Sequence, residues 1–272
     1  MTLFNVHNAF RLELDKLGMS FLPEEIDYWV NTYTKRYIKT RYSGLNVHGT
    51  AFQQDQKRSD DLRSIVKSAD YSNSTNPATI LTLNEEISNA YYIEYPSDYW
   101  IGLGETIYIS YGPNENTQTV KRGDVTECTI ENIDNRLTNS LSSHRLHNGV
   151  AKPLRLYVDG KIVLYTDGTY TIPNYTVTYL AKPEEIDSYK YTQFSTANSY
   201  SLGDKVSNNG HQYVCSTADT APSALTSFTE IQLTSMPDHT WDEIIAGSVK
   251  MALENISDPR YQTYSQEAQG IE

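Results

Sequence analysis

The sequence predicts an α+β protein, in which helices near both ends of the chain form one domain and β structure lies between them. Before residue 70 and after residue 236, apolar residues recur at spacings of three and four, the pattern of amphipathic helices. Between them, short β-branched and aromatic runs alternate with Gly, Pro, Asn and Asp, which is typical of strands and turns. The chain also has 22 Tyr against 6 Phe, a composition that suits half-buried strands.

Three changes of pattern divide the chain. The polar stretch YSNSTNP follows the first helices, the stretch AKPEEIDS leaves the β runs, and Met236 with Pro237 precedes the last helix. A unit of about 45 residues before Met236 is too small for a large core, so we expect strands and turns held by a few aromatic side chains. The predicted parts are a helical domain over 1–70, an antiparallel β sandwich or barrel over 71–188, a small β unit over 189–235, and a C-terminal helix and tail over 236–272 that complete the helical domain.

The strongest helix prediction covers residues 22–41. Pro23 suits a first helical position, because its missing N–H would have no intrahelical partner there. Acidic residues follow at the positive end of the helix dipole, and basic residues lie near the negative end. The apolar and aromatic residues that share one face are Ile26, Trp29, Val30, Tyr33 and Tyr37. This face has no catalytic pattern, so we expect it to pack on other helices or on a neighbouring subunit.

The same spacing predicts three more helices, over 3–17, 55–68 and 239–256. In the helix over 55–68, we expect Leu62, Ile65 and Val66 to point inward. In the last helix, the apolar face begins at Trp241, and Asp258-Pro259 ends the helix. The residues after it are polar, and we expect a tail that lies along a partner or stays mobile.

Turn residues predict the connections in the β domain. Asp159-Gly160 lies between the runs LRLYV and KIVLY and predicts a hairpin, because both central residues of a type I′ turn need positive φ. Asp167-Gly168 and Asn209-Gly210 are further turn signals. The stretch Gly102-Leu103-Gly104 precedes a strand-like run rather than a helix, so we predict a turn there and no nucleotide site.

Composition excludes several functions. The net charge of −12 disfavours binding to nucleic acid, which needs clustered Lys and Arg. The two cysteines, Cys128 and Cys215, are far apart and predict buried thiols rather than a zinc site. His144 and His147 lie in a turn-like context that gives weak grounds for a metal site. The start of the chain lacks a signal-peptide pattern and no apolar run reaches membrane-spanning length, so we expect assembly in a cytoplasm and no membrane partner.

The sequence contains no catalytic constellation that we can identify. A nucleophile elbow, a phosphate-binding loop and a dinucleotide fingerprint are all absent. Four pairs of adjacent acids could suggest a glycosidase. They fit solvated helix faces and helix caps instead. Asp60 and Asp61, with Arg63, could form a salt bridge between subunits, but we expect them to lie at the surface. We therefore predict no enzyme activity, no catalytic residues, no cofactor and no metal ion. The acid pairs are Glu24-Glu25, Asp60-Asp61, Glu85-Glu86 and Glu184-Glu185.

Most of the chain resembles the virion structural proteins of tailed phages, especially the neck-ring and head–tail connector proteins of crAss-like phages. The stretches that carry this resemblance are LPEEIDYWVNTYTKRYIKTRYSG, FQQDQKRSDDLRSIV, VTYLAKPEEID and MPDHTWDEIIAGSVKMALENISDPRYQ. Their order is also similar to that of the helical adaptors of podoviruses, including the tail tubular protein A class with its β insertion.

This resemblance implies a helical adaptor domain with an inserted β domain. It further implies a ring of copies, commonly twelve, that joins the portal protein to other neck and tail proteins in the virion. DNA would pass through the channel of such a ring without specific binding. Under this hypothesis, the aromatic residues expected in packing or subunit interfaces are Trp29, Tyr33, Tyr37, Trp241 and Tyr261.

Residues 194–231 resemble a small chitin-binding carbohydrate module. The matching positions are Tyr200, Gly203-Asp204, Val206, Gly210, Tyr213, Pro222 and Phe228. Two positions depart from that pattern, since Ser207, Asn208 and Asn209 stand where an aromatic residue is frequent and Phe228 stands where Trp is usual. The resemblance implies glycan contacts by Tyr200, Tyr213 and Phe228, and with them an alternative function as a glycan-binding tail or surface attachment protein.

Overall fold

The computed structural model describes residues 1–15, 20–43, 56–72, 82–83, 89–112, 119–218 and 225–255. Within them the protein is a mixed α+β structure with five α-helices and three sheets. The chain divides into two compact units. Met1–Ile65 and the residues from Pro183 onward form the first, called here the terminal unit, and Val66–Lys182 form the second, called the β unit. The sequence predicts boundaries at 70/71, 188/189 and 235/236.

The helices of the terminal unit form largely where apolar spacing predicts them. Helix α2 begins at Pro23, and Glu25 reaches back to accept a hydrogen bond of 2.8 Å from the Leu22 backbone N–H. This arrangement satisfies a donor that the helix itself leaves unpaired. The helices of this unit are α1 (Leu3–Asp15), α2 (Pro23–Ser43), α3 (Gln56–Leu62) and α5 (Trp241–Asn255), whereas the short helix α4 (Ile133–Thr138) belongs to the β unit.

The predicted helix over 55–68 is wrong in its second half. Helix α3 ends at Leu62, and Val66–Ser72 form the strand β1. All seven residues of β1 pair antiparallel with residues 174–180 of a long strand, and Tyr71 is buried by this pairing. Sheet pairing of this length overrides a short helical spacing, because the whole segment then forms a continuous ladder with the long strand. Ile65 is buried, as expected, but it lies in the turn after the helix.

Helix α5 packs against α1 and α2, so segments from both parts of the chain share one core. Trp241, Phe10 and Ile26 are among the most deeply buried side chains. The contact between α2 and α5 is close at Gly247, where an added Cβ atom would overlap the ring of Tyr33. The start of the chain is also held in this unit, because Thr2 forms a β-bridge with Gln232.

The β unit is a sandwich of two sheets. The four-stranded sheet has the order β1-β9-β4-β5 and is antiparallel, whereas the five-stranded sheet has the order β2-β3-β8-β7-β6 and includes one parallel pair. Ile107, Ile109 and Val177 of the first sheet share a core with Ile162 and Leu164 of the second. The strands are β1 (Val66–Ser72), β2 (Thr82–Leu83), β3 (Ala90–Glu94), β4 (Tyr99–Tyr111), β5 (Thr119–Gly123), β6 (Thr126–Glu127), β7 (Leu154–Val158), β8 (Lys161–Tyr165) and β9 (Thr171–Ala181).

The small module belongs to the terminal unit and contributes the third sheet. Its strand order is β10-β11-β12-β13, and the pair β10–β11 is parallel. Strand β12 contacts helix α1. The strands are β10 (Thr192–Gln193), β11 (Lys205–Asn208), β12 (His211–Cys215) and β13 (Phe228–Glu230).

Two predicted hairpin turns have the expected backbone. Asp159 and Gly160 have φ of 51° and 68° between β7 and β8, and Asn209 and Gly210 have φ of 51° and 82° between β11 and β12. The predicted turn at residues 102–104 is wrong. These residues lie inside β4, where the pairing with β9 shifts register between Gly102 and Gly104. A β-bulge accommodates the glycines, because it keeps the strand continuous while bending it.

We predict that Gly247→Ala destabilises the protein, although alanine favours helix formation by about 1 kcal/mol. The added methyl group would overlap the Tyr33 ring, and such overpacking costs typically about 1–3 kcal/mol. Urea denaturation of the wild type, Gly247→Ala and the double variant Gly247→Ala/Tyr33→Ala measures this. The double variant should be no less stable than Tyr33→Ala alone. A Gly247→Ala protein as stable as the wild type would contradict the close packing of α5 on α2.

Candidate functional site

A buried charge cluster joins three helices of the terminal unit. It consists of Arg41 on α2, Asp61 on α3 and Glu243 on α5, together with Tyr37 and His239. Arg41 and Asp61 are only 4% and 1% exposed. Because a buried ion is costly without its partners, these groups constrain one another strongly.

The distances in the buried charge cluster define one connected network. Arg41 Nε lies 3.3 Å from Asp61 Oδ2, and Arg41 Nη2 donates to the Glu243 carboxylate. Tyr37 donates its hydroxyl to Asp61 Oδ2 at 3.3 Å, and His239 Nε2 lies 3.0 Å from Asp61 Oδ1. Arg41 sits in the last turn of α2 and Glu243 in the first turn of α5, so both charges also complement the helix dipoles.

The pKa directions agree with an ionised arginine. Burial lowers the pKa of Arg41, but the Tyr37 hydrogen bond and the neighbouring Glu243 and Asp61 carboxylates raise it by more. Burial also raises the pKa of Tyr37 well above its usual range. At neutral pH the cluster therefore contains a charged guanidinium and a protonated phenol, which makes it a structural ion network rather than a source of nucleophiles.

The prediction that both members of the pair Asp60-Asp61 lie at the surface is wrong for Asp61, which is buried. Asp60 is exposed and pairs with Arg63 at 3.0 Å, as expected, whereas Asp61 points inward to Arg41. Glu184 and Glu185 lie at the surface and pair with Lys190 and Lys35. The pair Glu85-Glu86 lies outside the described residues. Adjacent acids thus have opposite environments in α3, which their sequence alone does not reveal.

A second buried pair holds the chain where it returns from the β unit. His7 Nε2 on α1 lies 2.7 Å from Asp27 Oδ1 on α2, and Asp27 Oδ2 accepts a hydrogen bond of 2.8 Å from the Ser188 backbone. The Asn31 side chain makes two further bonds of 2.8 Å with the Ile186 backbone. Burial raises the pKa of Asp27, but the His7 and Ser188 hydrogen bonds outweigh it and lower that pKa.

The structure places the predicted interface residues in different environments. Trp241 and Tyr37 are buried inside the terminal unit, and the Tyr33 ring packs over Gly247 of α5. These three side chains therefore act in packing within one protomer and offer no broad surface to a neighbour. Trp29 is half-buried and meets the exposed ring of Tyr28 edge to face at 5.0 Å. Tyr261 lies outside the described residues.

The predicted glycan-binding residues do not form an open platform. Tyr200 and Phe228 are 8% and 9% exposed, because they pack against Val206 and Cys215 as the module core. This corrects the prediction for both rings, since a ring closed inside a core cannot stack on a sugar. Tyr213 is half-buried beside His211.

The module also contacts helix α1 near these residues. The His211 ring stacks on Phe4 with ring centroids 3.8 Å apart, and His211 Nδ1 lies 2.7 Å from Glu230 Oε1. Helix α1 of the same unit thus partly covers the face of β12 that carries His211 and Tyr213. Of the positions that match the carbohydrate module, Pro222 lies outside the described residues.

Chemical sites are sparse in the part of the chain that the structure describes. No three His, Cys, Asp or Glu side chains are grouped there as metal ligands. His144 is buried, its Nδ1 lies 2.9 Å from Ser142 Oγ, and burial lowers its pKa, so it is placed as a core residue.

Of the described helices, none has the length and apolarity to cross a bilayer. No protein-family model matches the sequence, and no curated protein matches it.

We predict that Arg41→Leu lowers the free energy of unfolding by about 3–5 kcal/mol, because Asp61 and Glu243 would stay buried without their cation. The matched control is Arg63→Leu, which removes an exposed pair and should cost less than about 1 kcal/mol. Urea denaturation at neutral pH measures both. Equal losses for the two variants would contradict a special role for the buried charge cluster.

We also predict that Asp27→Asn flattens the acid side of the stability profile. The folded-state pKa of Asp27 lies below its value in the unfolded chain, so its stabilisation is complete above the unfolded value and is lost as pH falls through the folded value. Urea midpoints between about pH 2 and pH 5 should fall less steeply in Asp27→Asn than in the wild type. Glu24→Gln, an exposed change on the same helix, should keep the wild-type slope. An unchanged slope in Asp27→Asn would refute the prediction.

Proposed function

We propose that this protein is a structural component of a tailed-phage virion, a multicopy neck ring or head–tail connector that joins portal to tail and encloses the DNA channel. The observation that supports this most is the construction of the terminal unit. Helices α1 and α2 pack against α5 in one unit, and the β unit lies between them in the sequence. This is the arrangement that the resemblance to helical adaptors with a β insertion implies.

The charge of the chain fits a channel through which DNA moves. With a net charge of −12, the protein repels phosphate groups rather than binding them. A DNA-binding role would instead call for a basic surface. We therefore propose a wall that guides DNA without specific contacts.

The contacts between copies would use surface residues rather than the buried aromatic face. Tyr28 is 61% exposed and lies against half-buried Trp29 near the start of α2. An exposed aromatic pair is typical of interface centres, which are enriched in Tyr and Trp. We propose that Tyr28 and Trp29 contact the adjacent subunit. Attachment through residues 194–231 has less support, because Tyr200 and Phe228 fill the module core.

Mass photometry of the purified protein, alone and mixed with the portal protein of its phage, tests this proposal. We expect a ring, which for twelve chains of 30.9 kDa has a mass of about 370 kDa, or a stoichiometric complex with portal. A protein that stays monomeric and ignores portal would contradict the connector function.

The proposed subunit contact is tested by Tyr28→Ala. This variant should reduce the ring or complex fraction without changing the melting temperature, because the side chain is exposed in the single copy. The control is Leu12→Ala on α1, a residue that is 63% exposed and lies outside the proposed contact. Loss of assembly in both variants, or in neither, would argue against Tyr28 as a subunit contact.

A further inference from the structure

A cleft of about 520 Å³ opens in the β unit and has no role in the connector proposal. Its lining comes from the first half of β4, the loop before β6, the end of β6, and β7. The six lining residues with polar side-chain atoms are Tyr99, Glu105, Asp124, Glu127, Arg155 and Tyr157. A cleft of this size falls in the range that small-molecule sites occupy.

The local sheet geometry opens this cleft. Among the described residues, β5 pairs with residues 107–111 of β4 and does not extend along the first half of that strand. In the same half of β4, the pairing with β9 shifts register between Tyr99 and Ile101 and between Gly102 and Gly104. Bulges of this kind are frequent next to binding sites, because they re-aim side chains and end the pairing.

The charged groups of the cleft are already paired with one another. Arg155 makes ion pairs with Glu105 and, at 3.2 Å, with Glu127. Tyr157 donates its hydroxyl to Glu105 Oε1 at 3.2 Å. Asp124 lies 3.3 Å from the Lys152 ammonium. Arg155 and Lys152 therefore already neutralise part of the negative charge of the cleft, which reduces its attraction for an amine or a basic peptide.

A neutral ligand rich in hydroxyl groups fits this arrangement better. Asp124 and Glu127 are 77% and 71% exposed at the side chain, and each carboxylate has further lone pairs beyond its ion pair. A hydroxyl group can donate to such a carboxylate without breaking the existing ion pair. Hydrogen bonds to charged acceptors are also the stronger kind.

Aromatic rings lie beside these polar groups. The ring centroids of Tyr95 and Tyr99 are 4.5 Å apart, and those of Tyr95 and Tyr157 are 5.8 Å apart. Tyr157 is 39% exposed, and the Arg155 guanidinium lies 4.4 Å from its ring centroid. Burial and the nearby Glu105 raise the pKa of Tyr157, so its hydroxyl stays protonated at neutral pH. An ordered, partly exposed ring of this kind can stack on the C–H face of a sugar.

We propose that this cleft binds a neutral saccharide of one or two sugar rings. The exposed part of the Tyr157 ring packs on the sugar face, and Asp124 and Glu127 accept hydrogen bonds from sugar hydroxyl groups. Arg155 orients Glu105, Glu127 and the Tyr157 ring through its ion pairs and its stacking contact. This site is separate from residues 194–231, and the inference stands whether or not the protein forms a ring.

The test uses the full chain on an array of neutral mono- to tetrasaccharides, followed by titration calorimetry with each glycan that binds. We expect binding to at least one glycan. Tyr157→Ala and the double variant Asp124→Asn/Glu127→Gln should each weaken it at least about tenfold. The double variant changes only exposed side chains, so its melting temperature should equal that of the wild type even if Tyr157→Ala is less stable.

Two controls locate the site. The double variant Glu131→Gln/Asp134→Asn makes the same charge change at exposed positions outside the cleft and should bind like the wild type. Tyr213→Ala, in the small module, should also bind like the wild type. The proposal is overturned if the wild type binds no neutral glycan, if Asp124→Asn/Glu127→Gln leaves the affinity unchanged, or if only Tyr213→Ala abolishes binding. Binding of tetralysine in place of any glycan would likewise overturn it in favour of a cation site.

Discussion

The pairing of one buried arginine with two carboxylates is the constraint on which the terminal unit depends. Arg41 is at the end of α2, Asp61 is on α3, and Glu243 is 202 residues further along than Arg41. The ionised groups are nearly inaccessible to water, so each requires the others to offset the cost of its desolvation. Helices from both parts of the chain must therefore come together before the charges are satisfied, which favours one register of α5 on α2.

Around this cluster, apolar packing and polar contacts fix the remaining elements. Tyr33 packs over Gly247, and the His7–Asp27 pair with its bond to Ser188 fixes the segment that returns from the β unit. The terminal unit tolerates the long β segment between its two parts, because the entropy cost of closing a long loop rises only slowly with its length. The surface of the β unit, and the ligand that it binds, can then change without altering the packing of the terminal unit. This division of roles fits both the proposed connector and the saccharide cleft in the β unit.

Much of the fold could be predicted from local chemistry. The 3.6-residue spacing indicated α1, α2 and α5, and Asp159-Gly160 and Asn209-Gly210 indicated two hairpins, because both signals depend on neighbouring residues. The wrong predictions concern segments whose structure depends on pairing with strands far away in the sequence. Residues 66–72 became a strand through β9, and Gly102-Leu103-Gly104 became a bulge inside β4.

The candidate sites were harder to predict for the same reason. Asp61 is next to an exposed aspartate, and only the fold brings it to Arg41. The cleft of the β unit joins Glu105 to Arg155, which are 50 residues apart and belong to different sheets. The resemblance to a chitin-binding module singled out Tyr200 and Phe228, but a matched sequence position does not reveal whether its ring is buried or exposed. A sequence signal for the burial of Asp61 was the position of Arg41, a charged residue on the apolar side of α2. A buried arginine requires a carboxylate partner from another part of the chain.

Native-state hydrogen exchange, followed by mass spectrometry, tests most directly whether the buried charge cluster makes the two parts of the terminal unit one cooperative structure. We expect the amides of α2 and α5 to exchange through a common opening and therefore with the same free energy of opening. Replacement of Arg41 should lower this free energy by the same amount in both helices. Exchange of α5 at a clearly lower free energy, while α2 stays protected, would contradict this expectation.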